Sequence, residues 1–149
     1  MDSKDRQILK ILQSDASLSM ADLADQVSLS KTAVWRRVRD LEKEGYIKQQ
    51  VTILDPVKVG FGLTVFTLVR TNQHSDKWLK NFKNAITAIP EIIQFHRTSG
   101  DIDYLLTIVA KDMADYDRVY KQLIKTVDLA DVSSTFVMET IKSTTELPI

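Results

Sequence analysis

The chain of 149 residues contains no cysteine, only four glycines and only three prolines. The absence of cysteine excludes a disulfide framework and thiolate chemistry. So few glycines and prolines indicate that little of the chain is disordered. No apolar run approaches the roughly 18 residues that a membrane span needs, and the N-terminus lacks the basic, apolar and small-residue order of a signal peptide. We therefore expect a cytoplasmic protein without a membrane partner.

Signals for catalysis and for metal binding are also scarce. The two histidines, His74 and His96, do not have a spacing typical of metal ligands. The sequence has no glycine-rich phosphate loop and no G-x-S-x-G motif. Asp115 and Asp117 lie two residues apart on a predicted helix, so they face different ways. We expect no metal, no cofactor and no enzymatic activity.

Net charge is zero, because 20 basic residues balance 20 acidic residues, but the positive charge is concentrated in one segment. Residues 1–30 carry a net charge of −2, residues 31–50 carry +3, and residues 51–149 carry −1. Such a local excess predicts a basic surface on one element.

Residues 1–54 show the pattern of a winged helix-turn-helix domain. Helix starts are predicted at Asp2 or Ser3, at Ser19 and at Ser30. The third helix has Val34, Val38 and Leu41 on one apolar face, and Gly45 stands where a left-handed residue ends a helix. Residues 46–54 alternate and are rich in β-branched side chains, which predicts a strand or small hairpin as the wing.

Residues 55–62 are predicted to be a linker, and residues 63–149 a second domain with the order βαββαβ. This order indicates a ferredoxin-like sandwich, so the fold class is α+β. Its helices have apolar stripes that are expected to face the sheet, namely Trp78, Phe82, Ile86 and Ile89 in the first, and Met113, Tyr116, Val119, Leu123 and Val127 in the second. The other sheet face is expected to carry alternating apolar side chains from Leu63 to Val69 and from Tyr104 to Ile108, which favours an interface there.

The basic segment coincides with the helix that enters the major groove in a helix-turn-helix protein. We predict base contacts for four residues of its outer face: Lys31, Thr32, Trp35 and Arg36. We predict phosphate contacts for Ser30, Arg39 and Lys48. The alternative for the whole set is an ordinary solvated charged face.

Two residues of this helix have a competing structural interpretation. Arg37 lies nearer the core side, where it contacts phosphate or pairs with Asp40, Asp5 or another carboxylate. Trp35 contacts bases or packs against the protein. The sequence leaves both choices open.

The turn TSGDIDY, residues 98–104, lies between two apolar strands. Gly100 allows backbone N–H groups to approach a ligand carboxylate, and Asp101 and Asp103 are placed to receive an amino group. Opposite charges held close together suit a zwitterion. The alternative is an ordinary hairpin turn.

The chain resembles the Lrp/AsnC (feast/famine) family of transcription regulators over essentially its whole length. The matching stretches are DRQILKILQSDASLSMADLADQVSLS, VWRRVRDLEKEGYI, LDPVKVGFGL, GDIDYLLTI and SSTFVMETIKSTTELPI. The resemblance implies double-stranded DNA as a partner, a C-terminal domain that binds small effectors, and dimers that assemble into tetramers or octamers. Within the family, the chain most resembles the subgroup of cysteine-responsive regulators. L-cysteine is therefore the first effector to consider.

By matching positions, the resemblance implies an amino-acid site at Thr98, Gly100, Asp101 and Asp103. Ser133, Ser134 and Thr135, at the start of the last strand, are proposed as hydroxyl partners of the same effector. Their alternative is polar filler in a strand.

The leading hypothesis is a DNA-binding transcription regulator whose assembly or DNA affinity responds to an amino acid. An architectural chromosome-binding protein would share the basic helix but would not respond to a metabolite. An enzyme on the ferredoxin-like half would need convergent titratable residues in one pocket, and only residues 100–103 come near that.

Overall fold

The computed structural model describes residues 1–73, 75–126 and 128–149, which divide into two compact units. The first unit comprises residues 1–53 and 141–149, and the second comprises residues 54–140. The second domain was expected to extend to residue 149, but residues 141–149 group with the first unit. One cause is the side-chain amide of Gln13, which both donates to the Leu147 carbonyl and accepts from its N–H at 2.9 Å.

Three helices form the first unit: α1 (Ser3–Ser14), α2 (Met20–Val27) and α3 (Lys31–Lys43). Each begins where a side-chain oxygen accepts a backbone N–H of the first turn, at Asp2, Ser19 and Ser30. Asp2 and Asp5 complete a reciprocal capping box. The predicted helix starts are therefore confirmed.

The turn between α2 and α3 is set by Ser28, which has a left-handed φ of 54°. This conformation ends α2 and redirects the chain within a few residues, as a helix-turn-helix requires. Gly45 ends α3 in the same conformation, with φ +79°. The helices enclose one apolar core: Ile8, Leu12, Leu23, Ala24, Val27, Val34, Val38 and Leu41.

The wing strand predicted for residues 46–54 is not formed. This segment is irregular, and Val51 and Ile53 are 64% and 70% exposed. A strand needs a partner for its backbone N–H and C=O groups, and the described part of the chain pairs no strand with this segment.

The second unit has the predicted order βαββαβ. Its elements are β1 (Leu63–Arg70), α4 (Asp76–Thr87), β2 (Ile92–Arg97), β3 (Tyr104–Ala110), α5 (Met113–Thr126) and β4 (Asp131–Phe136). The strands form one antiparallel sheet in the order β2-β3-β1-β4. This is the ferredoxin-like arrangement, so the predicted fold class is confirmed.

Helices α4 and α5 pack on one face of this sheet. Their predicted inner residues are buried, among them Phe82, Ile86, Val119 and Leu123. Met113 was expected to face inward but is 58% exposed, because it is the first residue of α5 and lies at the end of the helix. The predicted inner residue Val127 lies outside the described residues, as does His74. Across the described part of the chain, no helix has both the length and the apolarity that a membrane crossing requires.

The opposite face of the sheet, here called the open face, carries a different set of residues from the one predicted. Val65, Val69 and the even-numbered residues of β3 from Tyr104 to Ile108 are buried against the helices. The open face therefore presents the intervening side chains, and its apolar members are Phe66, Leu68, Leu105 and Val109. Thr64, Thr107, Ser133 and Thr135 lie beside these apolar side chains, so the open face is mixed, and the apolar residues predicted for it lie instead against the helices.

Candidate DNA-binding surface and effector site

Helix α3 separates two kinds of side chain on opposite faces. Val34, Val38 and Leu41 are buried on its inner face. Its outer face exposes five of the predicted contact residues, namely Lys31, Thr32, Trp35, Arg36 and Arg39. Three of these are cationic, so the outer face presents positive charge and hydrogen-bond donors suited to base edges and phosphates.

Trp35 and Arg39 form a stacked pair on this outer face. The Arg39 guanidinium carbon lies 5.3 Å from the centre of the Trp35 ring, within the range of a cation–π contact. Trp35 is 52% exposed, so it is not a packing residue of the first unit. The contact holds an aromatic ring and a cation together on a solvent-facing surface.

Two more predicted contact residues flank α3. The Ser30 hydroxyl oxygen accepts the Ala33 N–H at 3.2 Å, and its own hydrogen remains available to a phosphate oxygen. Lys48 is exposed in the irregular segment that follows the helix.

Arg37 does not share the outer face. Its Nη1 lies 2.7 Å from Asp2 and 2.7 Å from Asp5 at the start of α1. Of the two alternatives, the structure therefore shows carboxylate pairing, with Asp2 and Asp5 as the partners instead of Asp40. Arg37 thus links α1 to α3 through ion pairs, and its contact with DNA stays a prediction.

This ion-pair cluster predicts a dependence of stability on pH. The Asp5 N–H and then the Arg37 guanidinium lower the pKa of the Asp2 carboxyl below its usual value. A carboxyl whose pKa is lower in the folded state stabilises above its unfolded pKa of about 3.9, and the contribution disappears as pH falls through the folded pKa. We expect Asp2→Asn, which keeps the cap, to lower Tm at pH 7.

In thermal melts, the difference in Tm between wild type and Asp2→Asn should shrink as the pH falls below about 4. Asp25→Asn serves as the control, because Asp25 is exposed on α2 and its carboxylate makes no ion pair or hydrogen bond among the described residues. A Tm difference for Asp2→Asn that stays constant from neutral to acid pH would contradict the assignment.

The turn at residues 98–104 is internally bonded and tied to the end of β1. The Thr98 hydroxyl donates to the Ile102 carbonyl at 2.6 Å, and the Asp103 N–H donates to the Val69 carbonyl at 3.0 Å. Gly100 has φ +110°, which favours glycine. The turn is therefore held in one shape.

The two carboxylates of this turn have different roles. Asp103 accepts the Thr71 N–H at 2.8 Å, so one of its oxygens braces the turn against β1. Asp101 is exposed, and within the described ranges only its backbone carbonyl accepts a hydrogen bond, from the Arg70 Nε–H at 2.8 Å. Asp101 is therefore better placed than Asp103 to receive an ammonium group.

The three hydroxyl residues of β4 do not lie on one face of the sheet. Ser134 faces α5, where its Oγ lies 3.0 Å from Thr67 Oγ1 and accepts from the Tyr116 hydroxyl at 2.5 Å. Ser133 and Thr135 lie on the open face, because successive residues of a strand alternate. Ser134 is thus engaged with Thr67 and Tyr116 on the helix-covered face, and its contact with an effector stays a prediction.

Sequence reasoning missed Arg70, the last residue of β1. It pairs across the sheet with Asp131 of β4 and also bonds the turn through Asp101. A lone arginine after an apolar strand was the available signal, but its neighbours depend on the strand order.

Other polar clusters have local partners. Asp115 pairs with Arg118, and Asp117 pairs with Lys121, so these two acids do face different ways. His96 is exposed on β2. Among the described residues, no group of three or more potential ligands is arranged to hold a metal ion.

A helix-turn-helix with an exposed cationic helix, followed by a separate ferredoxin-like unit, defines a DNA-binding transcription regulator with its own ligand domain. Residues 1–48 match the winged helix-turn-helix DNA-binding family, and residues 64–147 match the Lrp/AsnC ligand binding domain. The chain belongs to the Lrp/AsnC family, as its resemblance predicted.

Individual relatives support this assignment. The glutamate uptake regulatory protein of Zymomonas mobilis is 48% identical over 149 residues, which span 100% of this chain and 91% of that protein. A crystal structure of an AsnC family transcriptional regulator from Agrobacterium tumefaciens has a TM-score of 0.95 and 51% identity, covering 99% of this chain and 97% of that one.

The transcriptional regulator NMB0573 of Neisseria meningitidis, in complex with L-Met, has a TM-score of 0.94 and 31% identity, covering 99% of this chain and 96% of that one. Both solved structures are of transcriptional regulators, and this chain, as a member of the same family, is a transcription regulator.

Proposed function

We propose that the protein binds double-stranded DNA in a sequence-specific manner as a dimer or larger assembly, and that an amino acid bound at the turn 98–104 changes its assembly or DNA affinity. The observation that carries this proposal is the outer face of α3. It concentrates exposed cations on the helix that a helix-turn-helix protein inserts into the major groove. We place its action in the cytoplasm.

The DNA contacts divide into two groups by their position. Lys31, Thr32, Trp35 and Arg36 lie in the first half of α3, which leads into the groove, and are assigned to base edges. Ser30, Arg39 and Lys48 are assigned to phosphates, which fix the orientation of the protein. A symmetric dimer would recognise a roughly palindromic operator with half-sites about one or more helical turns apart.

Assembly is assigned to the open face of the sheet. Phe66 is 39% exposed there, beside Leu68, Leu105 and Val109. A contiguous apolar patch is a usual protein–protein surface. Dimers, and tetramers or octamers built from them, follow if a second surface joins the dimers.

The effector site is assigned to the exposed part of the turn, with Thr98 and Asp103 shaping it. Gly100 leaves its backbone open, Asp101 offers a carboxylate, and Ser133 lies on the open face nearby in β4. The relative from Neisseria meningitidis is complexed with L-Met, which supports an amino acid as the class of effector. L-cysteine and L-methionine are the first candidates.

Calorimetric titration of the protein with each of the twenty amino acids tests this proposal, with DNA binding measured in the presence of each. We expect Asp101→Asn to weaken amino-acid binding about tenfold, because it removes a charge-assisted hydrogen bond. DNA affinity without effector should stay unchanged.

Asp117→Asn is the matched control, since it removes the same charge from an exposed site on α5. Heat from none of the twenty, together with DNA binding that no amino acid alters, would favour an architectural DNA-binding protein instead. Equal losses in both variants would remove Asp101 from the site.

A further inference from the structure

Arg70 lies between the turn and the last strand, and most of its hydrogen-bond donors have no partner among the described residues. Its Nε–H donates to the Asp101 carbonyl at 2.8 Å. Its Nη1 lies 3.8 Å from the Asp131 carboxylate, beyond normal hydrogen-bond distance. Both side chains are more than half exposed, at 53% and 57%. The Nη1–Nη2 edge of the guanidinium is therefore open to a ligand.

We propose that Arg70 binds the carboxylate of the effector, and that the effector ammonium lies between the carboxylates of Asp101 and Asp131. This inference rests on the proposed amino-acid effector and names the groups that recognise it. It defines the ligand class as α-amino acids with a free carboxylate and a free amino group.

The geometry of the guanidinium supports this role. The Nε bond to a backbone carbonyl fixes the plane of the group, because the turn itself is held to Val69 and Thr71. The remaining edge has two parallel N–H groups, the arrangement that binds a carboxylate in a bidentate manner. A preorganised arginine loses less side-chain entropy when the ligand binds.

Because the pairing of Arg70 with Asp131 is weak, replacing Asp131 with a ligand carboxylate as its partner costs little free energy. Exposed ion pairs contribute little to stability, and a separation of 3.8 Å is at the limit for such a pair. A ligand carboxylate can thus take the guanidinium while Asp131 turns to the ligand ammonium. An α-amino acid carries its ammonium and carboxylate groups on one carbon, so it needs a cation and an anion close together, and Arg70 lies 3.8 Å from the Asp131 carboxylate and bonds the backbone of Asp101.

The test compares L-methionine with L-methioninamide, which keeps the ammonium and side chain but lacks the carboxylate. If the panel of twenty shows another amino acid and not methionine to bind, that amino acid and its amide replace them. We expect wild type to bind the acid at least tenfold more tightly than the amide. In Arg70→Gln this ratio should fall to about one, because glutamine can still donate to the Asp101 carbonyl but carries no charge.

Arg70→Lys should restore part of the acid-to-amide affinity ratio, since lysine keeps the positive charge but lacks the two parallel N–H groups of a guanidinium. Arg97→Gln, on the strand that precedes the turn, removes the same charge elsewhere and should keep the wild-type ratio. A thermal melt of each variant shows whether it is folded. If Arg70 had only a structural role, Arg70→Gln would weaken binding of the acid and of the amide by the same factor.

Three outcomes overturn the inference. If Arg70→Gln keeps the wild-type ratio of acid to amide affinity, Arg70 does not bind the carboxylate, and the proposed function is unaffected. If Arg97→Gln lowers this ratio as much as Arg70→Gln does, the preference for the acid comes from the overall positive charge near the turn. Wild type that binds none of the twenty amino acids refutes the proposed effector, and the role of Arg70 with it.

Discussion

Replacing Leu68 with aspartate is expected to convert the assembled protein into a monomer. Leu68 lies on the open face, two residues from Phe66 on the same side of β1. An unpaired carboxylate buried in an interface costs on the order of several kcal/mol. A two-fold interface would contain the change twice, so dimerisation should weaken more than a hundredfold.

Sedimentation velocity at micromolar concentration measures this effect. Leu68 is half-buried on the sheet, so the monomer should keep its fold, and circular dichroism checks this. Ile124→Asp is the matched control, because Ile124 is an apolar residue of α5 that is 42% exposed on the other side of the unit. If the Ile124 variant dissociates and the Leu68 variant does not, the interface lies on α5 and not on the open face.

The sequence predicts the order of elements well because each has a clear period and a clear boundary. The three caps and Gly45 fix the helices of the first unit through local chemistry alone. The phase of β1 is harder to predict, since Val65 and Val69 on one face and Phe66 and Leu68 on the other are all apolar. Only the packing of α4 and α5 decides which set is covered.

The wing shows a second limit of local patterns. Residues 46–54 have strand-like composition, but composition supplies no partner for the backbone. Helices satisfy their own hydrogen bonds and can be predicted one at a time, whereas strands depend on a neighbour. This difference explains why the Ser30 cap and the left-handed Gly45 that bound α3 were predicted and the wing was not.

The candidate sites follow the same rule. The outer face of α3 could be predicted, because helical spacing alone places Arg36 opposite Val34. The partners of Arg37 and Arg70 lie on other elements, at Asp2 and Asp131, so they depend on how the helices pack and on strand order. The surroundings of Ser134 depend on the same information, since the sheet alternation places it on the face that α5 covers.

The effect on DNA recognition should be largest at Arg36. Its side chain is exposed on the outer face of α3, one residue from Trp35 and with no ion pair among the described residues. A bidentate contact from arginine to guanine contributes about 1–3 kcal/mol of discrimination. Arg36→Ala is therefore expected to lower affinity for the operator by roughly 5- to 150-fold.

The operator is first selected from random duplexes with the wild-type protein, and affinities are then measured by gel-shift titration. Arg6→Ala is the control, because Arg6 is an exposed cation of α1 away from this face. It should leave the affinity nearly unchanged. A loss of equal size in Arg6→Ala would show that net charge, and not the position of Arg36, determines binding.

A comparison with nonspecific DNA then separates base contact from phosphate contact. If Arg36 contacts a base, its removal weakens operator binding far more than nonspecific binding, and the slope of log affinity against log salt barely changes. If it contacts a phosphate, both DNAs lose affinity alike and the slope falls by about one. Arg39→Ala is expected to show this second pattern, because Arg39 lies three residues further from the helix N-terminus that leads into the groove. Opposite patterns in two arginines three residues apart would establish how α3 lies in the groove.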